Sequence, residues 1–140
     1  MNTLSLAEYS NMKDEFLIEK RKIIVFAEIK GINDVREFKF ILDTGASKSI
    51  INEGVAIRLG FDLKRLKTGD KLMTVGGSTY SKVLQLPKLS LFGKEMVNFE
   101  VNVLKLSPQI LYFADGLIGM DFLLQFQNIK FDFEKKTIEI

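Results

Sequence analysis

One stretch decides the fold of this chain: Phe38-Lys39-Phe40-Ile41-Leu42-Asp43-Thr44-Gly45-Ala46-Ser47. Its first five residues are mostly apolar and predict a β-strand that runs directly into a turn. Asp43 therefore stands at the end of a strand, where apolar surroundings can tune a carboxyl group. Gly45 gives the turn backbone freedom and lets another group approach closely. The triplet Asp-Thr-Gly occurs once in the chain, and that single copy shapes every functional hypothesis below.

The bulk composition is that of an ordinary globular protein. With 140 residues, 46% of them hydrophobic and 27% charged, the chain is predicted to form a single domain over residues 1–140. A domain of this size buries roughly two-thirds of its unfolded surface. Net charge is only +2, and the densest basic run is Glu19-Lys20-Arg21-Lys22. We interpret that run as a solvated edge, because nucleic-acid binding requires a concentrated basic face; no nucleic-acid partner is expected.

The residues that are missing narrow the chemistry. The chain has no His and no Cys, which removes the common nucleophile–base pairs and nearly all zinc ligand sets. Its glycine pairs lack the Gly-Lys-Ser/Thr ending of a phosphate-binding loop. We therefore expect no metal and no cofactor. Carboxylate chemistry and simple binding are the two kinds of function that the composition leaves open.

The expected location follows from similar observations. The first residues mix charged and apolar types, so no signal-peptide core is recognised, and no apolar run approaches the roughly 18 residues of a membrane helix. The absence of cysteine suits a reducing compartment. We expect a cytoplasmic protein without a membrane partner.

Along the chain the patterns are mostly those of β-structure. Residues 1–15 are weakly periodic and are predicted as a flexible N-terminal arm or a short helix. β-structure over Phe16–Lys30, a turn at Gly31–Asp34 and a strand over Val35–Leu42 predict a hairpin that delivers Asp43. The other predicted elements are a helix from Asn52 to Leu59 ended by Gly60, strands over Lys71–Val75, Tyr80–Leu91 and Met96–Leu106, a turn at Gly76-Gly77-Ser78, a helix over Met120–Gln127, and a last hairpin of Ile129–Phe133 with Thr137–Ile140.

The third of these strands has a clear alternation. Val97, Phe99, Val101 and Val103 alternate with Asn98, Glu100 and Asn102. Such a period of two predicts a half-buried strand with one apolar and one polar face.

Three motifs, in order, resemble a known family. Ile41–Ser47 looks like the active-site loop of retropepsin-type aspartic proteases. Val75–Tyr80 stands where that family has its flap hairpin, and Leu117-Ile118-Gly119-Met120-Asp121 is similar to its later hydrophobic–hydrophobic–Gly motif. The resemblance covers about Ile23 to Phe133. It implies a mainly β, acid-protease fold: a closed, retropepsin-like β-barrel lobe with one or two short helices.

The resemblance also implies a chemistry and an assembly. Two carboxylates a few ångströms apart share one proton, so one can take a proton from water while the other gives one to a peptide carbonyl. A chain of this length holds one lobe and one Asp43. The second Asp43 is then expected from a second copy related by a two-fold axis. The implied protein is an aspartic endopeptidase that cleaves peptide or protein substrates only as a homodimer.

Family roles transfer to the matching residues. Thr44 is expected to brace the two active-site loops across the axis, Gly45 to let the two backbones approach, and Ala46 to support the loop. The flap that closes over the substrate comprises Val75, Gly76, Gly77, Ser78, Thr79 and Tyr80. Leu117, Ile118 and Gly119 are expected to pack behind the loop as supports.

Less specific interpretations stay open beside this one. Asp43 alone reads equally as a turn aspartate before a glycine. Asp115 is interpreted as a turn residue, and Asp121 as a support for the start of the short helix. The alternative function is a catalytically silent module of the same fold that binds a peptide or protein partner in its cleft, and a weaker one is an assembly protein that uses the C-terminal hairpin as an interface.

The two ends of the chain depart from the viral pattern. Viral relatives end soon after the short helix and interleave their termini across the dimer. Here the sequence continues into Thr137–Ile140 and carries roughly twenty extra residues at its start. The final hairpin is therefore expected to complete a sheet within its own chain and to leave a different dimer contact.

Overall fold

The structure is a computed structural model that describes residues 14–74 and 77–140. Most of the described chain is β-structure. The strands are β1 (Asp14–Glu15), β2 (Leu17–Glu19), β3 (Lys22–Lys30), β4 (Val35–Leu42), β5 (Ile50–Asn52), β6 (Lys67–Thr74), β7 (Gly77–Leu91), β8 (Lys94–Leu104), β9 (Gly116–Ile118), β10 (Lys130–Asp132) and β11 (Thr137–Glu139). The helices are α1 (Glu53–Arg58), α2 (Pro108–Leu111) and α3 (Met120–Leu123), with a 3₁₀ turn at Leu63–Arg65. The mainly β prediction is confirmed.

The larger sheet closes into a barrel. Its eight strands are ordered β2-β3-β4-β9-β5-β8-β7-β6, and an additional pairing joins β3 to β7. Strand β9 pairs in parallel with β4 and antiparallel with β5, while β5 pairs in parallel with β8. These pairings make a closed ring of β3, β4, β9, β5, β8 and β7, as the resemblance implied. Closure removes open edges from the strands that carry the active-site loop.

The hairpin that delivers Asp43 is confirmed. Strands β3 and β4 pair antiparallel over seven residues, from Ile24 opposite Ile41 to Lys30 opposite Val35. The predicted segment Phe16–Lys30 is not one strand, however. Lys20 and Arg21 have φ values of 43° and 65°, which is the positive-φ pair of a two-residue hairpin turn. The chain therefore turns back there, and β2 pairs with the start of β3.

Strand β8 is less regular than its alternating sequence predicted. Asn98 has a φ of 53° opposite Pro87, which has no N–H to donate. Val97 is 67% exposed although Phe99 is buried, because this kink separates the two halves of the strand. The predicted polar face is also wrong at Asn102, which is 1% exposed. Gly69 of β6 crosses directly above, so Asn102 lies under the flap strand and not in solvent.

The flap hairpin has longer strands than predicted. Its ladder continues to Met73 opposite Ser78 and Thr74 opposite Gly77, so the prediction of a turn at Gly77 and Ser78 is wrong. Hairpin strands pair up to their tip even where the sequence is polar, since both faces are solvated. Val75 and Gly76, the other predicted flap residues, lie outside the described part of the chain.

The helices agree in part with the predictions. Helix α1 starts after Asn52 and is followed by Gly60 at φ +93°, as expected of a C-terminal glycine. The Asn52 side chain does not cap it and instead accepts a hydrogen bond from Leu106 N. Helix α3 is shorter than predicted, because its last turn tightens into i→i+3 bonds such as Phe126 N to Leu123 O. Helix α2 was not predicted.

The chain ends form a second, separate sheet. Strand β11 pairs with β10 on one side and with β1 on the other, all antiparallel. Phe16, which is 2% exposed, packs edge-on against Phe131 and Phe133, and Ile138 is fully buried in the main core. The prediction that the final hairpin completes a sheet within its own chain is confirmed by these pairings. The part of the predicted N-terminal arm before Asp14 lies outside the described residues.

Two hydrophobic clusters hold the barrel together. The main core fills its interior, and a small second cluster of Ile24, Ile41 and Ala114 lies beneath α2. Both clusters place buried residues of β4 immediately before the Asp43 turn. No helix in the described ranges has the length and apolar character needed to cross a bilayer.

Candidate active site

Asp43 is the first residue after β4 and is held by its own backbone. Its N–H donates to Ile118 O at 2.9 Å, and its carbonyl oxygen accepts from Ala46 N at 3.2 Å. The carboxylate oxygen Oδ1 accepts from Gly45 N at 2.8 Å. Of the described Lys and Arg side chains, none forms an ion pair with Asp43. The carboxylate is thus oriented by the loop and left without a cation.

The Leu117–Gly119 segment braces the loop from behind. Leu42 pairs with Ile118 across the parallel β4–β9 ladder, and the next residues continue the contact through Met120 N to Ala46 O at 2.8 Å. A Cβ added at Gly119 would lie 2.6 Å from Ala46 O and 2.9 Å from Lys48 O. Only a glycine fits between these carbonyls, which explains why the hydrophobic–hydrophobic–Gly motif accompanies the Asp43 loop.

A buried serine ties the loop to α3. Ser49 is 1% exposed, and its hydroxyl donates to Asp121 Oδ1 at 2.8 Å and accepts from Gly119 N at 3.0 Å. Asp121 also accepts from Ser49 N and from Phe122 N. The predicted role of Asp121 at the start of the helix is therefore seen, but its larger task is to hold the loop. The sequence analysis missed Ser49; the apolar Ile50-Ile51 that follows it was the available signal of burial.

A cleft opens beside Asp43. It has a volume of about 860 Å³ and is bordered by the active-site loop, β6, the end of β8 and the segment leading to α2. Its lining is mainly apolar and includes Ile50, Leu72, Leu104, Leu106, Ile110 and Leu117. A cleft of this size is in the range of ligand sites and suits hydrophobic side chains.

Four charged residues line the same cleft. Lys48 of the loop forms an ion pair with Asp70 of β6 at 3.6 Å, and both side chains are well exposed. Lys105 also lines the cleft and has no ion pair with any described residue. Asp43 is therefore the one lining carboxylate that is not paired with a lysine in the described ranges.

The floor of the cleft contains an incompletely bonded amide. Asn102 accepts from Ser81 Oγ at 3.3 Å, while its Nδ2 atom is buried and has no hydrogen-bond partner among the described residues. Ser81 in turn donates to Asp70 O at 3.0 Å. This polar group links the base of the flap hairpin to the cleft floor.

The predicted site residues fall into three groups. Asp43, Thr44, Gly45 and Ala46 lie together on one loop, and Leu117, Ile118 and Gly119 lie directly behind it. Ser78, Thr79 and Tyr80 lie on the exposed flap strand β7 together with Gly77. Asp115 is elsewhere: it accepts from Lys39 N at 3.0 Å and lies 3.7 Å from Arg58.

The outer face of the loop is open. Thr44 and Gly45 are exposed, although they sit beside Asp43 at the centre of the predicted site. Among the described residues, Thr44 makes no side-chain hydrogen bond. The loop is firmly held on its inner side and uncovered on the other.

These features define an aspartic protease of the single-lobe kind: one Asp-Thr-Gly loop, a bracing Gly motif, a flap hairpin and a closed barrel. The comparisons agree. Residues 30–125 match the family described as gag-polyprotein putative aspartyl protease, and the chain belongs to that family.

Two solved structures resemble the chain. A retropepsin-like aspartic protease from Rickettsia conorii is 25% identical, with a TM-score of 0.69 over 91% of this chain and 88% of that one. The EIAV protease, solved in complex with the inhibitor HBY-793, is 19% identical, with a TM-score of 0.56 over 76% of this chain and 88% of that one. A search of curated proteins gave no significant match. The fold is thus that of retropepsin-like proteases.

Proposed function

We propose that this chain is an aspartic endopeptidase that acts as a two-fold homodimer with Asp43 of each copy as the catalytic pair. The observation that carries the proposal is the Asp43 loop itself. Its carboxylate is oriented by Gly45 N at 2.8 Å, borders an 860 Å³ cleft, and is flanked by an uncovered Thr44. Retropepsin-like proteases usually act as dimers on peptide substrates.

The chemistry follows from bringing two such loops together. Two adjacent carboxylates hold one proton between them, since both cannot ionise at short range. The ionised Asp43 accepts a proton from a water molecule as the water attacks the peptide carbonyl carbon. The protonated Asp43 of the other copy donates its proton to the carbonyl oxygen. Proton transfer to the nitrogen then accompanies breakage of the C–N bond and restores the shared-proton pair.

The surrounding residues supply position and binding. Gly119 and Ser49 fix the loop from behind, so that the carboxylate does not reorient during the reaction. The flap hairpin borders the cleft through Leu72 and Met73 and is placed to cover the substrate. The apolar lining favours hydrophobic side chains next to the cleaved bond.

The terminal sheet supports a dimer contact centred on the loops. Strand β11 already has a neighbour on each side within its own chain, so it has no free edge for a strand of a second copy. We propose that the two copies meet through the active-site loops, with Thr44 bracing Thr44.

The test is digestion of a peptide library between acidic and neutral pH with wild type and Asp43→Asn. We expect cleavage next to hydrophobic residues by the wild type and a loss of at least about 10³-fold in the variant. Analytical ultracentrifugation of the same samples measures assembly. A wild-type dimer that cleaves nothing, or a variant that retains activity, would contradict the proposal; a silent wild-type dimer that still binds peptides would support the non-catalytic binding module.

A further inference from the structure

A compact basic and aromatic surface lies on the far side of α2 from the cleft. We call it the basic patch and define it by Lys20, Arg21, Lys22, Tyr112 and Phe113. Lys20, Tyr112 and Phe113 border a shallow depression of about 440 Å³ together with Pro108 and Gln109. Tyr112 is 79% exposed, and its ring lies edge-on to that of Phe113 at 5.1 Å. Large exposed aromatic side chains beside cations are typical of binding surfaces.

The positive charge of the patch is not neutralised within the described chain. Glu19, the acidic neighbour, is paired with Lys39 at 2.9 Å. Lys22 places its ammonium 4.3 Å from the centre of the Phe113 ring. Neither Lys20 nor Arg21 forms an ion pair with any residue in the described ranges. The patch therefore offers three cations in a row, and an acidic ligand is the complementary chemistry.

Both halves of the patch are held in place. The β2–β3 turn carries Lys20 and Arg21 in the positive-φ conformation of a tight hairpin. Helix α2 and the residues after it are fixed because Ile110 and Phe113 pack on the small cluster of Ile24, Ile41 and Ala114. A preformed surface loses little conformational entropy when it binds.

The patch is continuous with the cleft across one short helix. Ser107 and Ile110 line the cleft, whereas Pro108 and Gln109 line the depression of the patch. A helix with its side chains is about 10 Å across, and an extended peptide covers about 3.3 Å per residue. A substrate that leaves the cleft over α2 reaches the patch within about three to five residues. Lys105 lines the cleft on the near side of α2, so cations accompany the path.

We propose that the basic patch binds an acidic segment of the protein substrate, a few residues beyond the part held in the cleft. This inference rests on the proposed protease function and names the substrates it favours: hydrophobic at the cleaved bond, with a nearby run of Asp and Glu. The cations attract the segment, and Tyr112 offers an apolar face for a side chain within it.

The kinetic experiment compares two peptides with the same cleaved core, one extended by an Asp/Glu-rich tail and one by a Gly/Ser tail. For wild type at low ionic strength, the acidic tail lowers KM about five- to ten-fold and leaves kcat unchanged. In the double variant Lys20→Glu/Arg21→Glu the ratio of the two KM values falls to about one. The matched control is Lys64→Glu/Lys135→Glu, which changes the net charge equally at exposed sites outside the patch and the cleft; it keeps most of the wild-type ratio.

A binding measurement separates the patch from the catalysis. The fluorescently labelled acidic tail alone is titrated into Asp43→Asn protein and into the same protein carrying Lys20→Glu/Arg21→Glu, with anisotropy as the readout. Binding that is lost only with the patch variant supports the proposal even if no peptide is ever cleaved. Equal KM values for both tails in wild type, equal loss in the control variant, or tighter binding of an RNA oligonucleotide or an anionic vesicle than of the acidic tail would overturn it.

Discussion

The active-site loop and the terminal sheet use opposite strategies. The loop is tied inward by Gly119, Ser49 and Asp121, but its outer residues Thr44 and Gly45 are exposed. The terminal sheet, in contrast, surrounds β11 with a strand on each side and buries Ile138 completely. One region is structurally supported yet chemically incomplete, and the other is complete within one chain.

This difference separates folding from function. If the terminal sheet serves only its own chain, its residues contribute to stability and not to the dimer contact. If the loop needs a second copy, its residues control activity as well as stability. Substitutions in the two regions should therefore differ in which of these two quantities they change.

The largest effect is expected for Gly119→Ala. The added Cβ would lie 2.6 Å from Ala46 O, so the Asp43 loop must move. We expect the free energy of unfolding to fall by about 3 kcal/mol and kcat/KM to fall at least about ten-fold. Urea unfolding and peptide cleavage measure the two losses. Gly54→Ala, inside α1, is the matched control and should change stability by less than about 1 kcal/mol; an active, stable Gly119→Ala enzyme would refute the bracing role.

A smaller and different effect is expected for Ile138→Ala in the terminal sheet. Ile138 is fully buried, and its truncation should cost about 2–3 kcal/mol of unfolding free energy. The folded variant should keep the wild-type kcat and the wild-type dimer dissociation constant, as measured by cleavage assays and sedimentation. Ile140→Ala, at a position 51% exposed, should be near neutral. A weakened dimer in Ile138→Ala would show that the terminal sheet belongs to the dimer contact after all.

The smallest effect concerns pH. Burial raises the pKa of Asp14 above its ordinary value of 3.8, because desolvation disfavours the charged form. The folded state then binds the proton more tightly than the unfolded state. The penalty for ionising Asp14 is absent below pH 3.8 and is complete once the pH has passed the raised folded pKa.

Asp14→Asn should therefore raise the melting temperature at neutral pH by on the order of 1 °C, since the site is partly solvated, and have no such effect well below pH 3.8. Thermal unfolding at the two pH values checks this. Glu15→Gln, at the exposed neighbouring position, is the control. An equal gain for Asp14→Asn at both pH values would mean that ionisation is not the cause.

Local patterns predicted the parts of the fold that depend on local order. The β3–β4 hairpin, the positive-φ glycine after α1 and the final hairpin all follow from alternation and turn residues within a few positions. The family motifs then placed the Asp43 loop beside the Gly119 motif. The resemblance, and not the periodicity, predicted that β4 and β9 would be neighbours, because parallel pairing joins residues far apart in the sequence.

The remaining features depend on contacts that no local pattern contains. Asn102 reads as a polar-face residue and is buried because β6 crosses over it. Ser49 reads as a loop serine and is buried because Asp121 and Gly119 N satisfy its hydroxyl. The turn at Lys20 and Arg21 has no glycine or asparagine to mark it. The cytoplasmic location and the roles of the individual site residues stay predictions.

The most direct test of the central claim is a mixing experiment. Wild-type and Asp43→Asn chains are combined in equal amounts, well above the dimer dissociation constant, and left to exchange. If each site needs Asp43 from both copies, random pairing leaves about one quarter of the dimers intact. Peptide cleavage should then fall to about one quarter of that of the same total concentration of wild type. Activity of one half, in proportion to the wild-type chains present, would contradict the shared site and show that each Asp43 works without its counterpart.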